Sequence, residues 1–307
     1  MEDLVFKPAF EERYRKLTDW DVFKDICAKW LRRSIRVNTI KMDIASLKAR
    51  LPDWILTPIP WCKEGFWIQH KEGRRDVGNL TEHSLGYIYI QEAASMIPPM
   101  VLDPKPGDIV LDMCASPGSK TSQIGQYMQN QGVLIANDFK GDRIAALGIN
   151  LQRCGLTNII VTQMLGQRFE KSKQRFDKIL VDAPCSGTGT IRKSLKTLRI
   201  WNPLMVTRLA ATQKQLLKTA FNILNDGGTI VYSTCSCEPE ENEGVVTDLL
   251  ECFPNAKIVP FDLDIKRSPP ILEFEKKKYH QDLLHALRIW PQDNDTEGFF
   301  VCKIRKD

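Results

Sequence analysis

From residue 92 onward, short apolar segments alternate with segments in which apolar residues recur at helical spacing, and this alternation strongly limits the possible folds. The apolar segments are nearly continuous, as expected for parallel strands that helices cover on both faces. They lie at residues 109–111, 133–136, 159–161, 179–181, 230–232, 258–261 and 299–304. The sequence therefore predicts an α/β fold in which residues 87–307 form a doubly wound, mainly parallel sheet.

Two further patterns place helices in this region. Asn202 followed by Pro203 is typical of a helix start, and the run 225–228, Asn-Asp-Gly-Gly, is typical of a helix end. A later acidic run is predicted to lie at the first turn of another helix, where the helix dipole favours carboxylates. Its members are Glu238, Glu240, Glu241 and Glu243.

Residues 1–86 have a different pattern and are predicted to form a separate small domain. Residues 9–31 indicate two amphipathic helices, and Asp43 is placed to cap a third. Strands are predicted at 34–40, 55–59, 65–70 and 86–90. This order predicts a small α+β module of ferredoxin-like type.

The module contains basic and aromatic residues that allow two interpretations. They could form a basic surface with aromatic platforms for RNA, or the aromatic residues could fill the small core while the basic ones are solvated. The residues are Arg36, Lys41, Trp61, Lys63, Phe66, Trp67, Lys71, Arg74 and Arg75. The residue pattern alone favours the second interpretation.

Composition narrows the class of protein. The net charge of +5 permits a polyanionic partner without requiring one. The start of the chain is acidic and no apolar run approaches the length of a membrane helix, so we expect a cytoplasmic protein without a membrane segment. The nine cysteines are expected to be free thiols, and Cys235 and Cys237 lack the spacing of a zinc site, so no metal is expected.

The turn after the first strand of the large domain indicates a cofactor site. It carries glycine and Lys120 where a ligand approaches the start of a helix, but it matches neither a dinucleotide motif nor a Walker motif. Asp138 ends the next strand, where an acid commonly holds a ribose, although it could simply cap the following helix. Together these features favour S-adenosylmethionine, an adenosine cofactor without a pyrophosphate.

Two cysteines follow strands of the same predicted sheet. Cys185 ends the segment Asp182-Ala183-Pro184-Cys185, and Cys235 follows Ser233-Thr234. Positions at strand ends near helix N-termini favour a lowered thiol pKa, so both cysteines are candidate nucleophiles. Methylation of carbon 5 of cytosine needs a thiolate that adds to carbon 6, a proton acceptor and an acid near the ring nitrogen. Cys235, Cys185 and Asp182 can supply these groups.

These motifs resemble those of the Sun (NSUN) family of RNA cytosine-5 methyltransferases. The resemblance covers about residue 36 to the end and includes the cofactor turn at 112–121, the segment 182–189, the segment 233–243 and the closing segment 289–300. It implies that Cys235 attacks the base and that Cys185 helps to release the product, with Asp182 and Lys120 as further catalytic residues. The implied cofactor-binding residues are Cys114, Ala115, Ser116, Pro117, Gly118, Ser119, Lys120, Asp138, Arg143 and Asp182.

The resemblance also implies an RNA substrate, with transfer RNA preferred over ribosomal RNA, an RNA-binding N-terminal module, and a monomer. One departure from the family concerns the adenine contact, because the acid that commonly follows the third strand is replaced by Met164 or Leu165. A catalytically inactive RNA-binding protein of the same fold, or a DNA methyltransferase that uses Cys185, is therefore the alternative.

Overall fold

The structure, a computed structural model, describes residues 4–307, which begin with two short helices. These are α1 (Pro8–Tyr14) and α2 (Trp20–Cys27). Phe10 and Phe23 are buried in a cluster with Trp201 and Trp290 from the C-terminal half of the chain. The ring centroids of Phe10 and Trp201 are 4.9 Å apart. Both helices therefore pack on the large domain, although they precede the small domain in sequence.

The small domain is a four-stranded antiparallel sheet with the strand order β2-β3-β1-β4. This is the strand order of a ferredoxin-like module, as the sequence predicts. The Asp43 carboxylate accepts a hydrogen bond from the Ser46 backbone at 2.9 Å and so caps the helix. The elements are β1 (Ser34–Val37), α3 (Ile44–Arg50), β2 (Trp54–Ile59), β3 (Cys62–His70), α4 (Thr81–Ser84) and β4 (Ile88–Ile90).

Three residues of the expected basic and aromatic surface are in fact buried. Trp61 and Phe66 are 5% and 3% exposed, so they belong to hydrophobic cores. Arg36 is 1% exposed, and its guanidinium donates to Gln91 at 2.9 Å and to Ser122 at 2.7 Å. The expectation of an RNA-facing Arg36 is wrong, because this side chain joins the small sheet to the large domain.

The remaining elements build the large domain. They are α5 (Ile97–Leu102), β5 (Ile109–Asp112), α6 (Ser119–Tyr127), β6 (Val133–Asp138), α7 (Gly141–Cys154), β7 (Ile159–Gln163), β8 (Phe176–Asp182), α8 (Lys196–Ile200), α9 (Pro203–Ile223), β9 (Leu224–Thr234), α10 (Glu243–Cys252), β10 (Ala256–Ile258), β11 (Glu273–Phe274), β12 (Lys277–Lys278), β13 (Leu287–Ile289), α11 (Pro291–Asn294) and β14 (Phe299–Lys306).

The large sheet has eight strands in the order β10-β14-β9-β8-β5-β6-β7, with β13 paired to β14. Strands β5 to β9 are mutually parallel, and β14 runs antiparallel to β9. The predicted mainly parallel sheet is confirmed. One strand is shorter than predicted: β10 ends at Ile258, because Pro260 has no N–H group with which to continue the ladder.

Helices cover this sheet on both faces, and neighbouring strand residues point into different cores. Leu111 packs with residues of α9 and α10, whereas Val110 packs with residues of α5 and α6. All side chains of the strand segment 110–112 are at most 1% exposed. Because β5, β6, β8 and β9 are parallel, their carboxyl ends lie at one edge of the sheet. The loops that follow these strands are therefore anchored to a well-packed sheet.

Within residues 4–307, no helix combines the length and apolar character needed to cross a membrane.

Candidate active site

The two cysteines predicted from the sequence lie side by side at the carboxyl edge of the sheet. Parallel pairing places Asp182 of β8 opposite Ser233 of β9, so the loops that follow leave the sheet at the same level. The sulfur atoms of Cys185 and Cys235 are 3.3 Å apart. This register brings together two residues that are fifty positions apart in sequence.

The environment of Cys185 differs from the expectation of a lowered pKa. Its hydrogen bond with Cys235 and its burial raise the pKa of the Cys185 thiol well above the usual value. The expectation of an activated thiolate is therefore wrong for Cys185. A thiol that keeps its proton is suited to donate an S–H hydrogen bond to the neighbouring sulfur.

Lys120 and Asp182 form an ion pair beside the cysteines. The Lys120 ammonium lies 2.8 Å from Asp182 Oδ2, and Ser233 donates to Oδ1 at 2.8 Å. Burial lowers the pKa of Lys120, but the charge and the hydrogen bond of Asp182, together with other nearby groups, outweigh it and the pKa is raised overall. A charged lysine is thus fixed between the start of α6 and the end of β8.

Glu241 connects the two cysteine loops through hydrogen bonds. It accepts hydrogen bonds from the Ser186 backbone at 2.9 Å, from the Ser236 hydroxyl at 2.5 Å and from Gln213 at 3.0 Å. Its carboxylate is fully buried, and burial raises its pKa to about 7. Each cysteine is followed in sequence by a serine that binds this carboxylate, so one buried group sets the position of both loops.

The other acidic residues of this run also bind specific partners. Glu238 accepts from Arg13 at 2.8 Å, from Tyr14 at 3.0 Å and from Trp201 at 2.8 Å. Glu243 pairs with Arg288 at 2.6 Å. The prediction of a helix first turn is right for Glu243, whereas Glu238 precedes the helical residues. Helix α1 thereby reaches the loop that carries Cys235.

The predicted cofactor turn links β5 to the start of α6. Cys114, Ala115, Ser116 and Pro117 lie in this turn, and Ser119 is the first residue of the helix. Gly118 has a φ of 103°, a conformation that favours glycine, and a Cβ there would lie 3.1 Å from Leu147.

Asp138 at the end of β6 faces this turn. Its carboxylate accepts from the Ser116 backbone at 3.3 Å and from the Lys140 backbone at 3.1 Å. Arg143 lies 3.4 Å from the same carboxylate, and the Ser116 hydroxyl donates to the Arg143 carbonyl at 2.9 Å. The structure therefore brings together the acid, the arginine and the turn that the sequence predicts.

Two large apolar side chains are exposed near Asp138. Phe139 follows β6 and is 47% exposed, and Leu165 follows β7 and is 48% exposed. Leu165 occupies the region in which the family resemblance leads one to expect an acid. The amide side chain of Asn137 holds this region, since it donates to the Met164 carbonyl and accepts from the Met164 backbone N–H.

A cavity of about 310 Å³ opens onto Cys235, Lys120 and Asp182. It is also lined by residues that the sequence analysis does not identify, among them Glu92, Thr190, Lys193, Glu297 and Phe299. Glu92 could have been found as the acid that closely follows a strand, and Glu297 as the acid within segment 289–300. A larger groove of about 890 Å³ elsewhere is lined by none of the predicted catalytic residues.

Among residues 4–307, no three His, Cys, Asp or Glu side chains cluster in a way that could hold a metal ion.

Comparison with family models identifies both parts of the chain. Residues 99–305 match the model described as 16S rRNA methyltransferase RsmB/F, and residues 6–93 match the N-terminal domain of 16S rRNA methyltransferase RsmF. The chain belongs to the RsmB/F, or Sun, family of RNA cytosine-5 methyltransferases, which confirms the resemblance seen in its motifs.

Relatives in this family act on different RNAs according to their names. The chain is 48% identical to a tRNA (cytosine(49)-C(5))-methyltransferase of Pyrococcus abyssi, over 96% of this chain and 94% of the relative. It is 42% identical to ribosomal RNA small subunit methyltransferase F of Escherichia coli K12, over 98% of this chain. The alignment spans 63% of the length of that E. coli protein.

Solved structures agree with the fold. A methyltransferase homolog from Pyrococcus horikoshii superposes with a TM-score of 0.88 at 36% identity, covering 99% of this chain and 96% of the other. NSun6 from Pyrococcus horikoshii, solved with SFG, gives a TM-score of 0.86 at 23% identity, covering 98% of each chain, and supports the fold alone.

Proposed function

We propose that this protein transfers a methyl group from S-adenosylmethionine to carbon 5 of a cytosine in RNA, with Cys235 as the attacking thiol. The observation that carries the proposal is the 3.3 Å approach of Cys235 to Cys185 beside the Lys120–Asp182 pair. This arrangement places a nucleophile and an acid and base pair at one cavity, with a second thiol next to the nucleophile.

The residues of the cofactor turn fit S-adenosylmethionine. Asp138 suits a ribose diol, and the turn leads directly into the start of α6, where a helix N-terminus favours an anionic group. Phe139 and Leu165 offer apolar faces for a purine, so the missing acid removes a polar contact but leaves a surface for stacking. When bound, the cofactor supplies an electrophilic methyl group on a sulfonium.

The reaction then follows from the positions of the side chains. Cys235 Sγ gives its proton to the Lys120–Asp182 pair and adds to carbon 6 of the cytosine, while the pair passes a proton to the ring nitrogen. Carbon 5 becomes nucleophilic and takes the methyl group. Removal of the carbon 5 proton by a base restores the double bond and expels the Cys235 thiolate. Cys185 is next to the sulfur that leaves and assists this last step.

Transfer RNA is the proposed substrate. The relative with 48% identity is named for a tRNA cytosine, and this chain covers 94% of its length. The E. coli rRNA relatives extend well beyond the aligned region, which spans 63% of their length. The tRNA relative is thus matched along nearly its whole length, whereas the rRNA relatives are matched only in part.

The test uses variants of the two cysteines in a methylation assay. The wild-type protein is incubated with tRNA transcripts and with 16S rRNA, and bisulfite sequencing locates the 5-methylcytosine. We expect methylation of tRNA, loss of both methylation and covalent adduct in Cys235→Ala, and a trapped protein–RNA adduct in Cys185→Ala.

Cys252→Ala is the matched control, because Cys252 is an exposed thiol outside the site and its loss should leave activity unchanged. Full activity of Cys235→Ala contradicts the mechanism, and methylation of rRNA alone contradicts the substrate.

A further inference from the structure

Glu92 and Glu297 place two carboxylates at the wall of the cavity that contains Cys235, and the mechanism above uses neither. Glu92 accepts from the backbone N–H groups of Ala94 at 2.7 Å, Ser95 at 3.2 Å and Glu297 at 3.2 Å. Both oxygens of Glu92 are thus occupied by the protein itself. Glu297 is therefore the carboxylate of the pair that is available to a ligand.

The Glu297 side chain is buried but incompletely paired. Its residue is 4% exposed, and Oε1 has no hydrogen-bond partner within residues 4–307. The Lys193 ammonium lies 3.8 Å from this oxygen, but the Lys193 side chain is 68% exposed and holds it only weakly. A buried acceptor without a donor is costly, and such an atom at a cavity wall is explained by a donor on the ligand.

The two carboxyl groups of the pair affect each other's protonation. Burial and the Glu297 charge raise the pKa of Glu92 to about 8, and burial raises the pKa of Glu297 as well. Glu297 keeps an oxygen that can accept a hydrogen bond whether or not it holds a proton. The other charged groups that act on Glu297 are Lys193, Lys120, Arg192 and Asp182. A phosphate is disfavoured at this wall because it would lie against a carboxylate.

We propose that Glu297 accepts a hydrogen bond from the exocyclic amine of the target cytosine and so selects cytosine over uracil. Carboxylates are suited to this amine, whereas uracil presents a carbonyl oxygen at the same position and would be repelled. Asp182 is already held by Lys120 and Ser233, which leaves Glu297 for the amine. This inference rests on the proposed function.

The test removes the amine and the carboxylate separately. RNA affinity is measured in a Cys235→Ala background, which prevents covalent reaction, using an RNA that the wild-type protein methylates. A second RNA carries 2-pyrimidinone, which lacks the amine, at the target position. With Glu297 present, loss of the amine should weaken binding about 10- to 100-fold. With Glu297→Met, both RNAs should bind equally weakly.

Glu297→Gln retains a neutral acceptor and should give an intermediate ratio between the two RNAs. Lys266→Met is the control and should leave the ratio as in the parent, because Lys266 is a comparably exposed partner of a buried carboxylate, Asp293, and does not line the cavity. Binding of S-adenosylmethionine shows whether each variant is folded. If Glu297→Met does not fold, the ratio of affinities measured for Glu297→Gln is the test of the assignment.

The assignment is overturned if a folded Glu297→Met or Glu297→Gln variant keeps the parental ratio of affinities for the two RNAs. If Glu297→Gln also binds the two RNAs with equal affinity, the assignment is still supported, because the amide oxygen then does not accept a hydrogen bond from the amine. If the wild-type protein methylates neither tRNA nor rRNA, the proposed function fails, which is distinct from a failure at Glu297.

Discussion

For single residues, the main point is that a buried hydrogen-bond acceptor, and not the two thiols themselves, sets the position of the cysteine loops. The β8–β9 register brings the sulfur atoms together, and each cysteine loop then continues into a serine that binds Glu241. Glu241 also accepts from Gln213 of α9, so the loops are fixed to a long helix as well as to each other. The carboxylate is therefore a positioning group for both reactive residues.

Replacement of Glu241 by leucine should disrupt both loops. Glu241→Leu leaves two donors without an acceptor, the Ser186 N–H and one N–H of the Gln213 amide, whose nitrogen still donates to the Pro184 carbonyl, and each stranded donor costs about 1–3 kcal/mol. A displacement of the thiols by about 1 Å is expected to lower the methylation rate on the order of 100-fold. Urea denaturation and initial rates measure these effects.

Glu241→Gln is the matched comparison, because its carbonyl oxygen can still accept from the Ser186 N–H. It should lose less stability and less activity than Glu241→Leu. Equal behaviour of the leucine variant and the wild-type protein contradicts the positioning role.

At the scale of elements, the first helix stabilises the loop of the nucleophile. Arg13 of α1 lies 2.8 Å from Glu238, only three residues after Cys235, and the Glu238 side chain is fully buried. Tyr14 and Trp201 donate to the same carboxylate. A helix that begins near residue 8 is therefore part of the architecture of the active site.

Removal of the Arg13 charge should destabilise the protein strongly. Arg13→Leu leaves the Glu238 carboxylate buried without its cation, and breaking a buried pair in this way costs about 3–5 kcal/mol. Methylation should fall as well, because the loop loses one of its anchors. The measurement is the free energy of unfolding in urea together with the initial rate.

Arg15→Leu on the same helix is the control. Arg15 pairs with Glu11 at 2.6 Å, but its side chain is 52% exposed, so its loss should change stability by less than about 1 kcal/mol. If Arg13→Leu proves as mild as Arg15→Leu, then α1 does not support the loop.

At the scale of the whole molecule, folding buries carboxyl groups that take up protons. Burial raises the pKa of Asp112 to about 7, and the hydrogen bond from Thr121 to its carboxylate offsets this only in part. Glu241 is raised to about 7 and Glu92 to about 8. At a pH between the unfolded pKa and the folded pKa of such a group, the folded state binds more protons than the unfolded state.

The sign of the pH dependence follows from this proton uptake. The stability contributed by protonated Asp112 is fully present below the unfolded pKa of roughly 4 and is lost as the pH rises through about 7. In the Asp112→Asn variant, the side chain at position 112 does not titrate. Its stability relative to the wild-type protein should therefore rise between pH 5 and 7, on the order of 1 kcal/mol per pH unit.

Urea denaturation at pH 5, 6 and 7 measures this difference. Asp226→Asn changes a carboxylate that is 87% exposed, and its stability relative to the wild-type protein should not vary with pH. A constant difference between Asp112→Asn and the wild-type protein contradicts the assignment.

The sheet, the cofactor turn and the two cysteines could be predicted from the chain alone, because they depend on local patterns. Buried strands have continuous apolar runs, and parallel strands must end at a common edge, so Asp138, Cys185 and Cys235 could be predicted to lie there. Motifs then identified the family. Such patterns are read within a few residues and need no knowledge of packing.

Only the tertiary structure decided which polar groups face the cavity and which are buried. Arg36 has the sequence context of a surface residue but is 1% exposed, because α6 packs over it. Glu297 and Glu92 are far apart in sequence and meet only when the segment before β14 returns to the small domain. The pKa of Cys185 likewise depends on a neighbour fifty residues away. Burial and long-range contact set these properties, and neither is a local property of the chain.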